Sequence, residues 1–426
     1  MRRLTHILSF LALLAPILAG CAAEPIARPT SFMVSGSKAE YEAYQALVAA
    51  FAAENPGRKI DLRYMPDDAD YLRRLAADFA AGSPADVMLL NYRRIATLAD
   101  KGALEALEPR LAQSRKIKSD DFYAPALDAF YYQGKLWCIP QNVSSLVVYY
   151  NKALFDAAGV AYPANDWTWA DFIVAARALT VDKNGDGVSD QFGAGLDPTL
   201  YRLAPFIWQA GGELVDDPVH PTRLSLDSPS AQQAFQWFVD LQVKEKVVPD
   251  AAAEAAQESE SRFLAGALGM YFDSRRGVPT LRTIKDFDWD VAPLPRGSQP
   301  ASVLHSDGYC MAGKSKDKEA AWKFIEYANS VEGQEIVARS GRTAPSRRAV
   351  AESPSFLDPT QKPTHSQVWL DAVPTLHVVP IMPNWPAIED IISKEIERAF
   401  YGQTSVAEAV AAASALTQPL FQQAAP

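Results

Sequence analysis

The chain has 426 residues, 48 % hydrophobic and 22 % charged, and its 51 acidic side chains outnumber 41 basic ones for a formal charge of −10. That balance argues against nucleic acid and other polyanions as partners. A chain of about 400 residues also exceeds what one hydrophobic core organises, so two domains are expected.

The N-terminus addresses the chain out of the cytoplasm. Arg2 and Arg3 precede an apolar run from Ile7 to Ala19. The run is too short and too abruptly ended for a membrane-spanning helix, which needs about 20 apolar residues. It closes on Leu18-Ala19-Gly20-Cys21, which resembles a bacterial lipobox. The resemblance implies a lipoprotein signal peptide over residues 1–20, cleavage before Cys21, and a membrane anchor through lipid on that cysteine. Losing Arg2 and Arg3 leaves 39 basic against 51 acidic residues, a formal charge of −12. Residues 21–31 read as a tether. No later segment is apolar for long enough to cross a bilayer. Cys138 and Cys310 lie in apolar runs and show no spacing signal, so buried free thiols are expected, with a disulfide as the alternative in an oxidising compartment.

A β-α-β-α-β run follows the tether. Phe32 to Val34 reads as a strand, Tyr41, Tyr44, Val48 and Phe51 recur at helical spacing, and Asn55-Pro56-Gly57 stops that helix. Ile60, Leu62 and Tyr64 alternate as a strand. Leu72, Leu75 and Phe79 mark a second helix ending near Gly82, and Val87 to Leu90 is a buried strand. Downstream the alternation resumes with a strand at Val147–Tyr150. Helices are capped by Thr168/Asp171 and opened by Ser228-Pro229, and Leu268–Phe272 reads as a strand. Ile388, Ile392, Ile396 and Phe400 line a long helix closed by Gly402, and Ser405 and Glu408 cap the last one. This grammar predicts α/β architecture with parallel sheets flanked by helices.

Two motifs invite chemistry. Gly308 to Ser315 matches a nucleotide-binding P-loop formally, but its interior, Tyr309 to Ala312, is itself strand-like, so nucleotide binding is not expected. Asp182, Asn184, Asp186, Val188 and Asp190 place oxygen donors at calcium-loop spacing around Gly187. The bidentate acid is missing at Gly193, which leaves a weak structural Ca²⁺ site or an ordinary Asp/Asn/Gly turn. No cofactor is required. The four histidines beyond the leader (His220, His305, His365 and His377) have no metal-ligand spacing, and no nucleophile elbow occurs. Aromatic residues beside Pro and Gly, Trp385 above all, are candidates to stack on a sugar ring.

Several segments, in order, resemble the carbohydrate-binding family of ABC-transporter substrate-binding proteins, to which the maltose-binding protein belongs. They are Gly134-Lys-Leu-Trp-Cys-Ile-Pro140, Val148-Tyr-Tyr-Asn-Lys-Ala-Leu-Phe155, Thr168-Trp-Ala-Asp-Phe172, Gly211-Gly212, Phe263 to Met270, and Ala320 to Ile325. The resemblance implies a periplasmic-binding-protein-like fold of two α/β lobes, each a mainly parallel sheet flanked by helices. Residues 30–142 and 293–342 would form one lobe, and residues 143–292 and 343–426 the other, with a hinge between them. It implies a non-enzymatic, monomeric chain that closes on a small carbohydrate and presents it to ABC permease subunits. Carried position by position, it places Ser144, Tyr201, Trp208, Asp273, Ser274 and Trp385 at the ligand, with weaker assignments at Ser37, Tyr92, Asp307 and Gly308. Segment 86–94 departs from the maltose binders. Arg93 and Arg94 there, with Arg342 near the lobe crossing, leave room for a phosphorylated polyol or an acidic sugar. A secreted glycan-processing enzyme is the reading from another class.

Overall fold

The computed structural model describes residues 28–423; the leader, Cys21 and most of the tether lie outside the described residues. Nine strands carry the two main sheets: β1 (Thr30–Ser35), β2 (Ile60–Met65), β3 (Val87–Asn91), β4 (Cys138–Pro140), β5 (Leu146–Asn151), β6 (Phe192–Gly195), β7 (Leu268–Ser274), β8 (Trp289–Ala292) and β9 (Asp307–Met311). The first sheet runs β2-β1-β3-β9-β4 and the second β8-β5-β7-β6. Each carries helices, which makes the molecule a two-lobed α/β protein.

In the first lobe, Phe32, Met33 and Val34 are wholly buried, as a central strand covered on both faces requires. Phe32 packs edge-on to Tyr44 of helix Lys38–Glu54, with ring centres 5.8 Å apart, and lies 5.0 Å from Phe324 of helix Lys318–Ala328. In the second lobe the side-chain period of two divides β5 cleanly. Val148 and Tyr150 join the large core, whereas Val147 and Tyr149 face a separate cluster with Tyr271, Trp289 and Trp369. Helices Trp385–Phe400 and Val406–Gln423 pack on each other and on helix Pro229–Val243.

Strand direction corrects one expectation. β1 is parallel to β2 and β3, and β6 to β7, but β9 is antiparallel to both β3 and β4, and β5 is antiparallel to β7 and β8. The sheets are mixed, and the second is mainly antiparallel. Helix–strand alternation reveals only local βαβ units. A strand that arrives from the other lobe enters its sheet without a helical crossover, so the right-handed βαβ rule does not fix its direction.

The cysteines are a second correction. Cys138 and Cys310 are bonded to each other and are not free thiols. They face one another across the β4–β9 pair with Cα atoms 4.3 Å apart, the close spacing of a non-hydrogen-bonded antiparallel pair. A separation of 172 residues concealed this, because register between distant strands is a tertiary property.

The chain passes between the sheets at residues 141–145, 293–306 and beyond Gly341, and these segments lie side by side. Ser144 and His305 exchange backbone hydrogen bonds of 2.9 and 2.8 Å, and the Val143 amide donates to Ala344 at 2.8 Å. Asn142 joins the set, donating from Nδ2 to the His305 carbonyl at 2.8 Å and accepting the Asp307 amide at 2.9 Å.

Candidate functional site

Between the sheets lie two abutting cavities of about 120 and 210 Å³, which share Asn91, Arg93, Arg276, Asp307 and Arg342 in their walls. Strand ends and the loops after them supply these residues: Asn91 closes β3, Asp307 opens β9, and Arg276 follows β7. The loop-facing end of a sheet is where such folds bind ligands. Together the cavities fall near the lower end of the roughly 300–1,000 Å³ usual for small-molecule sites.

Nearly every cation in the wall has an anion. Arg342, 3 % exposed at its side chain, ion-pairs with Glu40 at 2.5 Å and Asp307 at 3.2 Å. Arg276 donates to Glu40 at 2.9 Å and to both oxygens of Asp68 at 2.9 and 3.2 Å. That pair joins the second lobe to the first across the cleft. Arg202 holds Asp273 at 2.9 Å and reaches Asp197 at 3.4 Å. Arg93 pairs with Glu389 at the start of helix Trp385–Phe400.

The capping of helix Lys38–Glu54 explains how Glu40 reaches this position. Ser37 caps the helix in a reciprocal box with Glu40, which turns the carboxylate back over the loop. Gly36, at φ +137°, is the residue that leaves it room, since a Cβ there would collide with the Glu40 carboxylate.

The charges shape the titrations. Burial raises Asp273 above the ordinary carboxylate range, only partly opposed by Arg202. At Asp68 burial also acts upward, but Arg276 and the Ser35 hydroxyl outweigh it and hold the carboxyl below its usual value. Burial, reinforced by Arg202, Arg93 and Arg276, keeps His305 well below the usual imidazole range, so it stands neutral at physiological pH. The Nε2 of His305 and the Nε of Arg202 are enclosed without any protein hydrogen-bond partner.

Of the residues singled out in the sequence, Ser144, Tyr201, Asp273, Ser274, Asp307 and Arg342 meet in the wall of the larger cavity. Arg93 lines both cavities and Arg94 the smaller one, whereas Ser37, Tyr92, Trp208, Gly308 and Trp385 line neither. Ser37 is a helix cap, and its neighbour Ser35 faces the cleft instead. Tyr92 is wholly buried and accepts the Val379 amide at 3.3 Å. Trp208 is buried flat against His377, 4.7 Å between ring centres. Trp385 is wholly buried at the first turn of its helix, and Gly308 faces the core, where a Cβ would meet Phe130 at 2.8 Å and Cys138 at 3.0 Å. The aromatic expectation fails because Pro and Gly neighbours mark a turn without saying which way its side chain points. Arg202, Arg276, His305, Asn91 and Asp68 escaped attention for the converse reason: isolated polar residues carry no periodic signal, and only the fold brings them together.

The P-loop match dissolves as well. Tyr309 to Met311 belong to β9, and Ser315 donates to Asp86 at 2.8 Å. In the 182–190 loop the side-chain oxygens cap backbone amides: Asp182 accepts from Gly185 and Gly187 at 2.7 and 2.8 Å, Asn184 from Asp186, Asp186 from Val188, and Asp190 from Lys183. Among the described residues no group of three or more His, Cys, Asp or Glu side chains is placed to hold a metal ion.

A cleft between two α/β lobes, lined from both sides by hydrogen-bonding groups, is the architecture of a solute receptor. The family model for the bacterial extracellular solute-binding protein matches residues 35–335. The chain belongs to that family. Among curated relatives, a putative binding protein of Brucella abortus is 23 % identical over 381 residues, covering 86 % of this chain and 87 % of its own. The mannitol-binding protein of Pseudomonas aeruginosa is 25 % identical over 399 residues, 88 % of each chain. Among solved structures, an ABC substrate-binding protein from Listeria monocytogenes in complex with cycloalternan superposes with a TM-score of 0.85 at 24 % identity, covering 92 % of this chain and 99 % of the other. Membership makes the chain an extracellular-type solute-binding protein, a family whose character agrees with a place outside the cytoplasm. No described helix is long and apolar enough to cross a membrane.

Proposed function

We propose that this solute-binding protein captures a small sugar or polyol between its lobes and delivers it to ABC permease subunits, acting as a monomer anchored through lipid on Cys21. The observation that carries the reading is the convergence of Ser144, Arg202 and Asp273 from one lobe with Asn91, Arg93 and Asp307 from the other on a single cavity of about 210 Å³. A hydroxylated ligand bridging those groups would contact both lobes at once. Its binding free energy would then favour the closed state, which is the form a permease must distinguish from the empty one. The relatives' names support a polyhydroxylated ligand: besides the mannitol-binding protein, they include one that binds erythritol and L-threitol.

The test is titration of the purified protein with hexitols and hexoses by calorimetry and thermal shift. Reversible binding without turnover is expected, together with a rise of several degrees in Tm under saturating ligand. Release of product from any of these compounds, or no binding to any of them, would overturn the reading. For the anchor, the full chain expressed in a bacterium should partition with membranes, and C21S should move it to the soluble fraction. Equal partition of the two would remove the lipid from the proposal.

A further inference from the structure

Resting on that reading, we infer that the cleft selects a compact, uncharged ligand with neighbouring hydroxyls, recognised by arginine–carboxylate pairs and not by stacking on an aromatic ring.

The first ground is the state of the aromatic rings. Tyr71 and Tyr201 are the only aromatic residues in the walls of the two cavities besides His305. Tyr71 is 4 % exposed, with its hydroxyl donating to the Leu89 carbonyl at 2.7 Å. Tyr201 is 5 % exposed; the Arg93 guanidinium sits 4.0 Å above its ring, the His305 ring lies 4.4 Å away, and its hydroxyl is spent on the Leu304 carbonyl. Neither offers a free face to a pyranose. Trp208 and Trp385 are sealed in the core.

The second ground is charge balance. Arg93, Arg202, Arg276 and Arg342 are answered by Glu389, Asp273, Asp68, Glu40 and Asp307. Arg94, in the wall of the smaller cavity, is the one cation there without an ion pair among the described residues; elsewhere a phosphate or carboxylate would gain arginine contacts only by competing with anions already there, and in the larger cavity it would place a like charge beside Asp273 and Asp307. A hydroxyl does not face that conflict, because it both donates and accepts. Against Arg202–Asp273, one hydroxyl of a vicinal pair can donate to the carboxylate while its neighbour accepts from the guanidinium, and Arg342–Asp307 repeats the arrangement on the first lobe. The third ground is size, since cavities of about 120 and 210 Å³ leave no room for a longer chain of sugar rings without parting Arg276 from Glu40 and Asp68.

The experiment is a calorimetric panel on the wild-type protein: D-mannitol, D-glucitol, D-glucose, maltotriose and glycerol 3-phosphate. At least one hexitol or glucose should bind ten times more tightly than either maltotriose or glycerol 3-phosphate. Maltotriose or glycerol 3-phosphate binding as tightly as the best of the others overturns the inference while leaving the receptor role intact; silence across the panel brings down the receptor role for sugars itself. A second arm uses D273N, which removes one negative charge beside Arg202. Affinity for the preferred neutral ligand should drop at least tenfold, and the preference over glycerol 3-phosphate should narrow. An unchanged preference in folded D273N would show that the Arg202–Asp273 pair does not read the ligand. Should the variant fail to fold, the wild-type panel decides alone.

Discussion

Replacing Arg276 by alanine should open the empty protein. The guanidinium joins the lobes through two kinds of contact, which differ in strength. Its bidentate pair with Asp68 lies where the two side chains are 38 % and 56 % exposed, so solvent screens it to about 0–1 kcal/mol. Its 2.9 Å contact with Glu40 involves a carboxylate only 4 % exposed. Removing one partner of such a group can cost about 3–5 kcal/mol when the charge is stranded. Glu40 would not be stranded, because Arg342 remains at 2.5 Å and the Ser37 amide at 2.6 Å. The combined loss should therefore be about 1–2 kcal/mol, a factor of about 5–30 in the ratio of closed to open molecules. Small-angle X-ray scattering of ligand-free protein reads this directly. R276A should show a larger radius of gyration than wild type, wild type should expand as salt is raised, and ligand affinity should weaken by a factor of the same order. Superimposable scattering curves with unchanged affinity, in a variant whose circular dichroism is native, would refute the reasoning.

Arg342 should behave differently from Arg276. Its substitution by alanine leaves Asp307 without an ion-pair partner, while Glu40 keeps Arg276, and a loss near the lower end of about 3–5 kcal/mol in urea unfolding is expected. Reducing the Cys138–Cys310 disulfide, or replacing both residues by serine, releases a constraint spanning 172 residues and should cost about 2–5 kcal/mol, read as a lower Tm under dithiothreitol. Gly193→Ala should destabilise the second lobe by about 1–3 kcal/mol or more in chemical denaturation, because the added methyl falls on the Ala176 carbonyl of a packed helix. Asp290 governs an acid-side loss. Burial acts to raise its pKa, but the Thr364 hydroxyl and the amides of His365 and Val291 outweigh that and hold it below the ordinary value. The stability it contributes is therefore full above the unfolded pKa of about 3.9 and disappears as pH falls through the lower folded value. D290N should be less stable at neutral pH and show a flatter decline between about pH 5 and 2 in thermal melts.

Much of the fold was legible from local pattern. The helix over Lys38–Glu54 was visible in Tyr44 and Phe51, that over Trp169–Leu179 in its Thr168/Asp171 cap, and the buried strands in their apolar runs, because these signals act over a few residues. The ordered segments around Gly134–Phe155 and Phe263–Met270 added the two-lobed plan and the solute-binding family. Ser144, Asp273 and Asp307, named from the family resemblance, line the larger cavity. What the sequence could not decide was everything that depends on which distant segments become neighbours. The directions of β5 and β9, the bond between Cys138 and Cys310, and the inward turn of Trp385 all required the lobes to be assembled. So did the ion pairs: Arg276 lies 208 residues from Asp68 and 236 from Glu40, and no periodicity links positions that far apart. Local chemistry determined the elements and the class of protein; long-range geometry decided which charges meet in the cleft, and so what the cleft can recognise.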